Sequence, residues 1–296
     1  MPSNIPFYIL HPNNRSITAM PSEKKTTANS ANRPIGIFDS GIGGLTVANA
    51  IQKELPYESL VYFGDTAHLP YGDKSPDSIK YYSIRIAQFL LQQQCKMIVI
   101  ACNTASSLAF ETVKSFVDGK VPVINVIDPV VEHVIRTGKR KKIGVIGTKG
   151  TIKSDIYAKK IRSRNSKLDV ASLATPLLAP MIEEGFFNNK ISRTVIASYL
   201  SSRKLAKIDS LILACTHYPL IKKEVEEYYE EGVEIVDSAG VVAAHVKEVL
   251  KKSKQLAGKK KPVHHFYVSD FTKSFEESTK YFFKNKIHLE KADIWT

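Results

Sequence analysis

Cysteine is scarce: the 296-residue chain has three, none in a C-x-x-C or comparable spacing. A disulfide scaffold and a zinc ribbon are thereby excluded, and no metal site is expected. Long apolar runs are missing too. No stretch approaches the roughly 20 residues that cross a bilayer, and the opening MPSNIPFYILHPNNRSITAM lacks a basic start followed by a long apolar segment. Neither a membrane span nor a secretory signal is expected, and the expected compartment is the cytoplasm. Acidic residues are the minority charge, 29 Asp and Glu against 42 Lys and Arg, a net +13. That excess invites a nucleic-acid partner, but it sits in scattered clusters (139–142, 153–167 and 251–262) with no nucleic-acid-binding motif among them. Lysines on solvated faces and loops are the expectation, not a nucleic-acid site. A dinucleotide fingerprint is absent as well: a G-x-G-x-x-G beginning at Gly41 would need glycine where Thr46 stands, which disfavours a nicotinamide cofactor.

What the chain does have is enough apolar residue, 43%, for one large or two ordinary cores. Residues 1–33 are rich in Ser, Thr, Asn and Pro without a sustained period and read as a mobile extension. Order begins at Pro34. Strands are predicted from IGIF, SLVYFG at 59–64 and KMIVIA at 96–101, with helices over 77–94 and from about Thr104 to Val117. Such alternation predicts an α/β fold with a mostly parallel sheet flanked by helices. The pattern then restarts, with strands PVINVID at 122–128, KIGVIGT at 142–148 and DSLILA at 209–214, and a helix from about Ile152 to Arg164.

Gly36 precedes Cys102 by 66 residues and Gly144 precedes Cys215 by 71. An Ile-Gly-Ile/Val strand followed by an Ala-Cys strand at nearly the same distance suggests an internal duplication. Two pseudo-symmetric domains would set equivalent strand ends face to face across a cleft, where ligands bind. The predicted division is an extension over 1–33, a discontinuous first domain of 34–127 plus 239–296, and a second of 128–238.

Both cysteines end β-branched or leucine-rich runs, IVIACNTASS and LILACTHYPL. A thiol at a strand-to-helix turn faces free N–H groups that favour a thiolate, hence a better base or nucleophile. Asn103 and Thr104 follow the first, Thr216 and His217 the second, offering amide, hydroxyl and imidazole groups to an anion such as a substrate carboxylate. His217 is placed to tune Cys215 or relay its proton. Cys95, near a helix end with no polar cluster after it, reads as structural. FDSGIGGLTV presents Asp39 and Ser40 at a strand tip, Asp39 either as a cap or as a group turned to the cleft. GDTAHLPYGDKS at 64–75 reads as a functional or structured loop with an exposed Tyr71–Gly72 pair, and PLLAPMIEEG carries Glu183 and Glu184, which alone would be taken as solvent-facing.

With these residues assembled, the chain closely resembles the glutamate racemases of the aspartate/glutamate racemase superfamily. The segments IGIFDSGIGGLTV, GDTAHLPYG, IVIACNTAS, IGVIGTKGTI, PLLAPMIEEG and LILACTHYPL carry the resemblance, in order, over residues 34–240. It implies a cofactor-independent enzyme with its active site between two α/β domains. Cys102 and Cys215 would be paired acid/base cysteines, Asp39 the carboxylate assisting the first, and Glu183 and His217 the groups assisting the second. Asp39, Ser40, Tyr71, Gly72, Asn103, Thr104, Thr148, Thr216 and His217 would contact substrate. The resemblance further implies glutamate as the small-molecule substrate, D-glutamate for peptidoglycan as the product, and a homodimer. Aspartate is the near alternative, one methylene shorter. A cysteine hydrolase or amidase using Cys215, His217 and Glu183 is the more distant one, and a basic nucleic-acid-binding protein with a relic site a third.

Overall fold

A computed structural model of the chain describes residues 30–136, 141–230 and 232–295. Ten strands form two sheets among these residues. The first sheet holds β1 (Ile35–Asp39), β2 (Leu60–Gly64), β3 (Met97–Ile100), β4 (Val123–Asn125), β9 (His264–Val268) and β10 (Leu289–Lys291), in the order β10-β9-β2-β1-β3-β4. The second holds β5 (Lys142–Gly147), β6 (Asp169–Ala174), β7 (Ser210–Ala214) and β8 (Glu234–Asp237), in the order β6-β5-β7-β8. Every pairing in both is parallel. The predicted α/β class with mostly parallel sheets is observed.

The helices are α1 (Leu45–Glu54), α2 (Pro76–Gln92), α3 (Asn103–Leu108), α4 (Phe110–Val117), α5 (Ile127–Arg136), α6 (Lys149–Ser154), α7 (Ile156–Arg164), α8 (Leu178–Glu183), α9 (Lys190–Leu200), α10 (Lys222–Tyr228), α11 (Ser238–Lys252) and α12 (Lys273–Phe282). Their starts follow capping chemistry. Ser75 accepts from the Ser78 amide ahead of Pro76 at the head of α2, and Asn189 with Ser192 closes a capping box on α9. α2 buries Ile79, Ile86, Ala87 and Leu90 along one stripe, which settles it onto the sheet.

The inner strands β1, β3 and β7 are buried at every position, as expected for parallel strands covered on both faces. The order β2-β1-β3-β4 is matched by β6-β5-β7-β8, so the repeat inferred from glycine-to-cysteine spacing is also a repeat of topology. In each, the cysteine strand lies beside the opening strand: Gly36 pairs with Ile98 and Gly144 with Leu211. One apolar core runs through both sheets, and a second covers the outer face of the first under α2 and α4. Helix α11 joins the lobes by burying Ala239, Val242, Ala243, Val246 and Leu250, a stripe that packs on α1 and α5.

Three expectations change at their edges. The strand predicted over 122–128 is only β4, because the Asn125 side chain accepts from the amides of Ile127 and Asp128 and starts α5 there. The helix predicted from Thr104 to Val117 breaks at Ala109, where ψ is −6° and φ −122°. That from Ile152 to Arg164 breaks at Asp155, with φ of 56°, while its first half starts early at Lys149. Of the extension expected over 1–33, residues 1–29 lie outside the described residues. The part that follows is tied down: Lys96 donates to the carbonyls of Ala31 and Gln255 and pairs with Glu58 at 2.6 Å, both side chains buried.

Candidate active site

The carboxyl ends of β1, β3, β5 and β7 converge on one small cavity of about 50 Å³. It is lined by Ser40, Tyr71, Gly72, Cys102, Asn103 and Thr104 from the first lobe and by Thr148, Glu183, Cys215, Thr216 and His217 from the second. A larger open groove of about 480 Å³ lies between α1, α11 and the end of α12 and contains neither thiol.

On the first side, Cys102 caps α3. Its sulfur accepts from the Ala105 amide at 3.5 Å and its thiol donates to Ser40 Oγ at 3.7 Å. Burial, reinforced by the neighbouring Asp39 carboxyl, pushes the Cys102 thiol up to about 12. Asp39 stands behind the cavity wall, fully buried. Its Oδ2 accepts from the amides of Gly44 (2.8 Å) and Gly41 (3.4 Å), while Oδ1 has no hydrogen-bond partner among the described residues. Burial raises its pKa, against the opposing pull of His217 and of these amides. Asp39 thus accepts from the amides of the glycine turn, as the cap reading expects, and does not itself line the cavity.

On the second side, Cys215 Sγ lies 3.6 Å from His217 Nδ1, and His217 Nε2 lies 2.8 Å from Glu183 Oε1. Burial pulls the imidazole pKa down, but the hydrogen bonds and charges of Cys215 and Glu183 overcome it and hold it well above the ordinary histidine value. These partners thus favour the imidazolium form of His217. Of the glutamate pair, Glu183 makes this contact and Glu184 is exposed. The Phe282 ring stands edge-on to the imidazole with centroids 5.4 Å apart.

Gly43 is where the glycine turn meets this side. A Cβ there would lie 2.6 Å from His217 Nδ1 and 2.8 Å from Thr216 Oγ1, so only glycine lets the turn approach. The Thr46 hydroxyl then donates to the Thr216 carbonyl at 2.9 Å, fastening α1 to the second lobe. Across the cavity, Thr104 Oγ1 meets Thr148 Oγ1 at 2.9 Å, and a Cβ on Gly72 would lie 2.9 Å from the Thr148 Cβ.

Tyr71 is buried, against the exposure expected from the sequence: it lines the cavity while its hydroxyl donates to Asp65 Oδ2 at 2.7 Å. Asp65, fully buried, also accepts from the Ser269 hydroxyl at 2.7 Å and meets His68 Nδ1 at 2.9 Å, anchoring the GDTAHLPYG loop. Cys95 is buried, its thiol pushed up to about 12 by burial, and its sulfur would lie 2.9 Å from a Cβ on Gly36. That placement suits the structural reading. Sequence reasoning missed Pro70, Ala179 and Pro180 in the lining and Asp65 and Tyr157 behind it. Pro70, Ala179 and Pro180 stand inside the quoted motifs and could have been found there; Tyr157 had no signal beyond being an aromatic on a predicted helix.

Among the described residues no group of three or more His, Cys, Asp or Glu is placed to hold a metal ion, and no helix is long and apolar enough to cross a membrane. The arrangement offers two thiols from opposite lobes, each with its own ionisable neighbour, and hydroxyl and amide groups between them.

The family model for Asp/Glu/Hydantoin racemase matches residues 45–248. A glutamate racemase of Geobacter metallireducens is 43% identical over 244 residues, 82% of this chain and 90% of that one. The crystal structure of glutamate racemase from Francisella tularensis in complex with D-glutamate superposes with a TM-score of 0.84 at 38% identity, covering 90% of this chain and 99% of that one. A glutamate racemase of Bacillus anthracis superposes with a TM-score of 0.83 at 34% identity, covering 89% and 98%. With motif order, fold and sequence agreeing over most of its length, the chain belongs to the Asp/Glu/Hydantoin racemase family and, within it, to the glutamate racemases.

Proposed function

We propose that this chain interconverts L- and D-glutamate by passing the α-proton between Cys102 and Cys215. The observation that carries the proposal is that the two thiols end equivalent strands of two repeated sheets and line one cavity from opposite lobes. Inversion at a tetrahedral carbon removes a proton from one face and returns one to the other, and a single base would have to cross the substrate plane.

One cysteine, as thiolate, takes the α-proton: the C–H bond breaks and S–H forms. The opposite thiol then gives its proton to the other face of the carbanion, and its sulfur keeps the electron pair. The α-proton is far less acidic than a thiol, so the developing charge requires preorganised donors around the carboxylate. Ser40, Asn103, Thr104 and Thr216 supply them, with Thr148 and the Tyr71–Gly72 segment as walls. His217, positive between Cys215 and Glu183, offsets the charge on Cys215 as a thiolate. Asp39, with its raised pKa, takes up and returns the proton of Cys102. The reaction on this reading needs no cofactor.

The product D-glutamate would supply peptidoglycan synthesis in the cytoplasm, from a homodimer whose subunits each divide into residues 34–127 with 239–296 and residues 128–238. Glutamate in deuterated water tests the chemistry. Deuterium should enter at the α-carbon of both enantiomers, and Cys102→Ser and Cys215→Ser should each abolish racemisation. Near-normal racemisation by either variant would refute the two-base reading. The contacts of His217 with Cys215 and Glu183 also suit a cysteine hydrolase; that reading wins if Cys102→Ser is harmless and an amide is cleaved. Parallel assays on aspartate decide the side-chain length accepted.

A further inference from the structure

Asn103 and Thr104 open α3 in the first lobe, yet the segment 148–157 of the second lobe grips both. Thr104 meets Thr148 at 2.9 Å and Thr151 at 3.3 Å, and Asn103 Oδ1 accepts from the Tyr157 hydroxyl at 2.7 Å. Tyr157 and Asn103 are both almost fully buried. Asn103 lines the thiol cavity, but its Nδ2 has no hydrogen-bond partner among the described residues. An unpaired, buried amide N–H on a residue that lines a ligand cavity is a donor in want of an acceptor.

We propose that Tyr157 is a positioning residue for the reaction: its hydroxyl fixes the Asn103 amide so that Nδ2, not Oδ1, faces the ligand and donates to a carboxylate oxygen. The proposal rests on the reading of Asn103 as a substrate contact. A carboxamide can present either end, and the reverse orientation would set Oδ1 against an anionic ligand. A neighbour that donates to Oδ1, as the Tyr157 hydroxyl does at 2.7 Å, favours the orientation with Nδ2 toward the ligand. Burial, with Asp128 and Cys215 adding to it, raises the phenol pKa and keeps the proton on Tyr157. Because Tyr157 stands on α7 and Asn103 on α3, the donor is oriented only while the two lobes are apposed.

The test measures KM and kcat for both enantiomers of glutamate in Tyr157→Phe, Asn103→Ala and the double variant, with thermal unfolding of each. Tyr157→Phe should raise KM about tenfold, the size of a lost carboxylate hydrogen bond, with kcat within about threefold. The double variant should be no worse than Asn103→Ala alone, because the phenol acts only through the amide. If KM in Tyr157→Phe is unchanged while Asn103→Ala raises it, the positioning role is wrong and the substrate reading stands. Additive effects in the double variant would likewise overturn the role, making Tyr157 a packing residue. If Asn103→Ala leaves KM unchanged, the substrate-contact reading of Asn103 fails and the proposal with it. If the unaltered chain neither binds nor racemises glutamate, the proposed function falls too.

Discussion

Replacing Glu183 by Gln tests the electrostatics of the Cys215 side. The carboxylate lies 2.8 Å from His217 Nε2, with side chains 29% and 7% exposed. Two unit charges with centres about 4 Å apart attract by about 4 kcal/mol at an effective dielectric near 20. Water reaching the glutamate screens that to about 1.5–3 kcal/mol, or one to two pKa units at ~1.36 kcal/mol each. Glutamine keeps an oxygen that can accept the Nε2 proton but loses the charge. The imidazolium form, whose pKa is raised in the native site, is present below that pKa and lost as pH rises through it. The variant should therefore lose activity at lower pH than the parent. Expressed as kcat/KM followed by circular dichroism, the alkaline limb should move down by one to two units. The deficit should be about twofold at the midpoint of the shifted limb, grow to about ten- to a hundredfold above the parent's limb, and vanish on the acidic side. A loss of equal size at every pH, or a limb that does not move, would refute the charge argument and leave Glu183 as a geometric support.

Gly43→Ala should cost stability and rate together, since the new methyl would lie 2.6 Å from His217 Nδ1 inside a packed site. Overpacking of this kind destabilises by about 1–3 kcal/mol, and the displaced imidazole should lower kcat/KM by on the order of 100-fold; an unaltered rate would show that the turn can retreat. Lys96→Met leaves Glu58 buried without its partner and should lower unfolding stability by about 3–5 kcal/mol. Its kcat/KM per folded molecule should be unchanged, because Lys96 precedes β3 at the end opposite Cys102. Denaturant unfolding beside the rate assay checks both halves of that expectation.

Much of the fold is legible because parallel strands buried on both faces leave continuous apolar runs, as at Met97–Ile100 and Ser210–Ala214. The short outer strands β8 and β10 carry charged residues and no such run, and neither was predicted. The breaks at Ala109 and Asp155 are equally silent, since neither proline nor glycine marks them. The backbone breaks at both positions without any such marker in the sequence. At the site, the cysteines and their followers are readable because they are adjacent in sequence. Tyr157 on Asn103 and Asp65 on Tyr71 and Ser269 are not, because each depends on a pairing that only the folded chain creates.

The two sulfurs keep unlike company: Cys102 beside a buried carboxyl, Cys215 beside an imidazole whose pKa is raised. Enantiomers have equal free energies, so kcat/KM must be identical in both directions however different the two bases are. The inequality is displaced into the unliganded enzyme. On the proposed two-base reading, a turnover that begins with Cys215 ionised ends with Cys102 ionised, and these two forms differ in free energy. Each product release therefore leaves an imprint of the enantiomer just consumed, erased only when the protons are redistributed. At saturating substrate that resetting competes with the next turnover, and the maximal rates in the two directions are free to diverge.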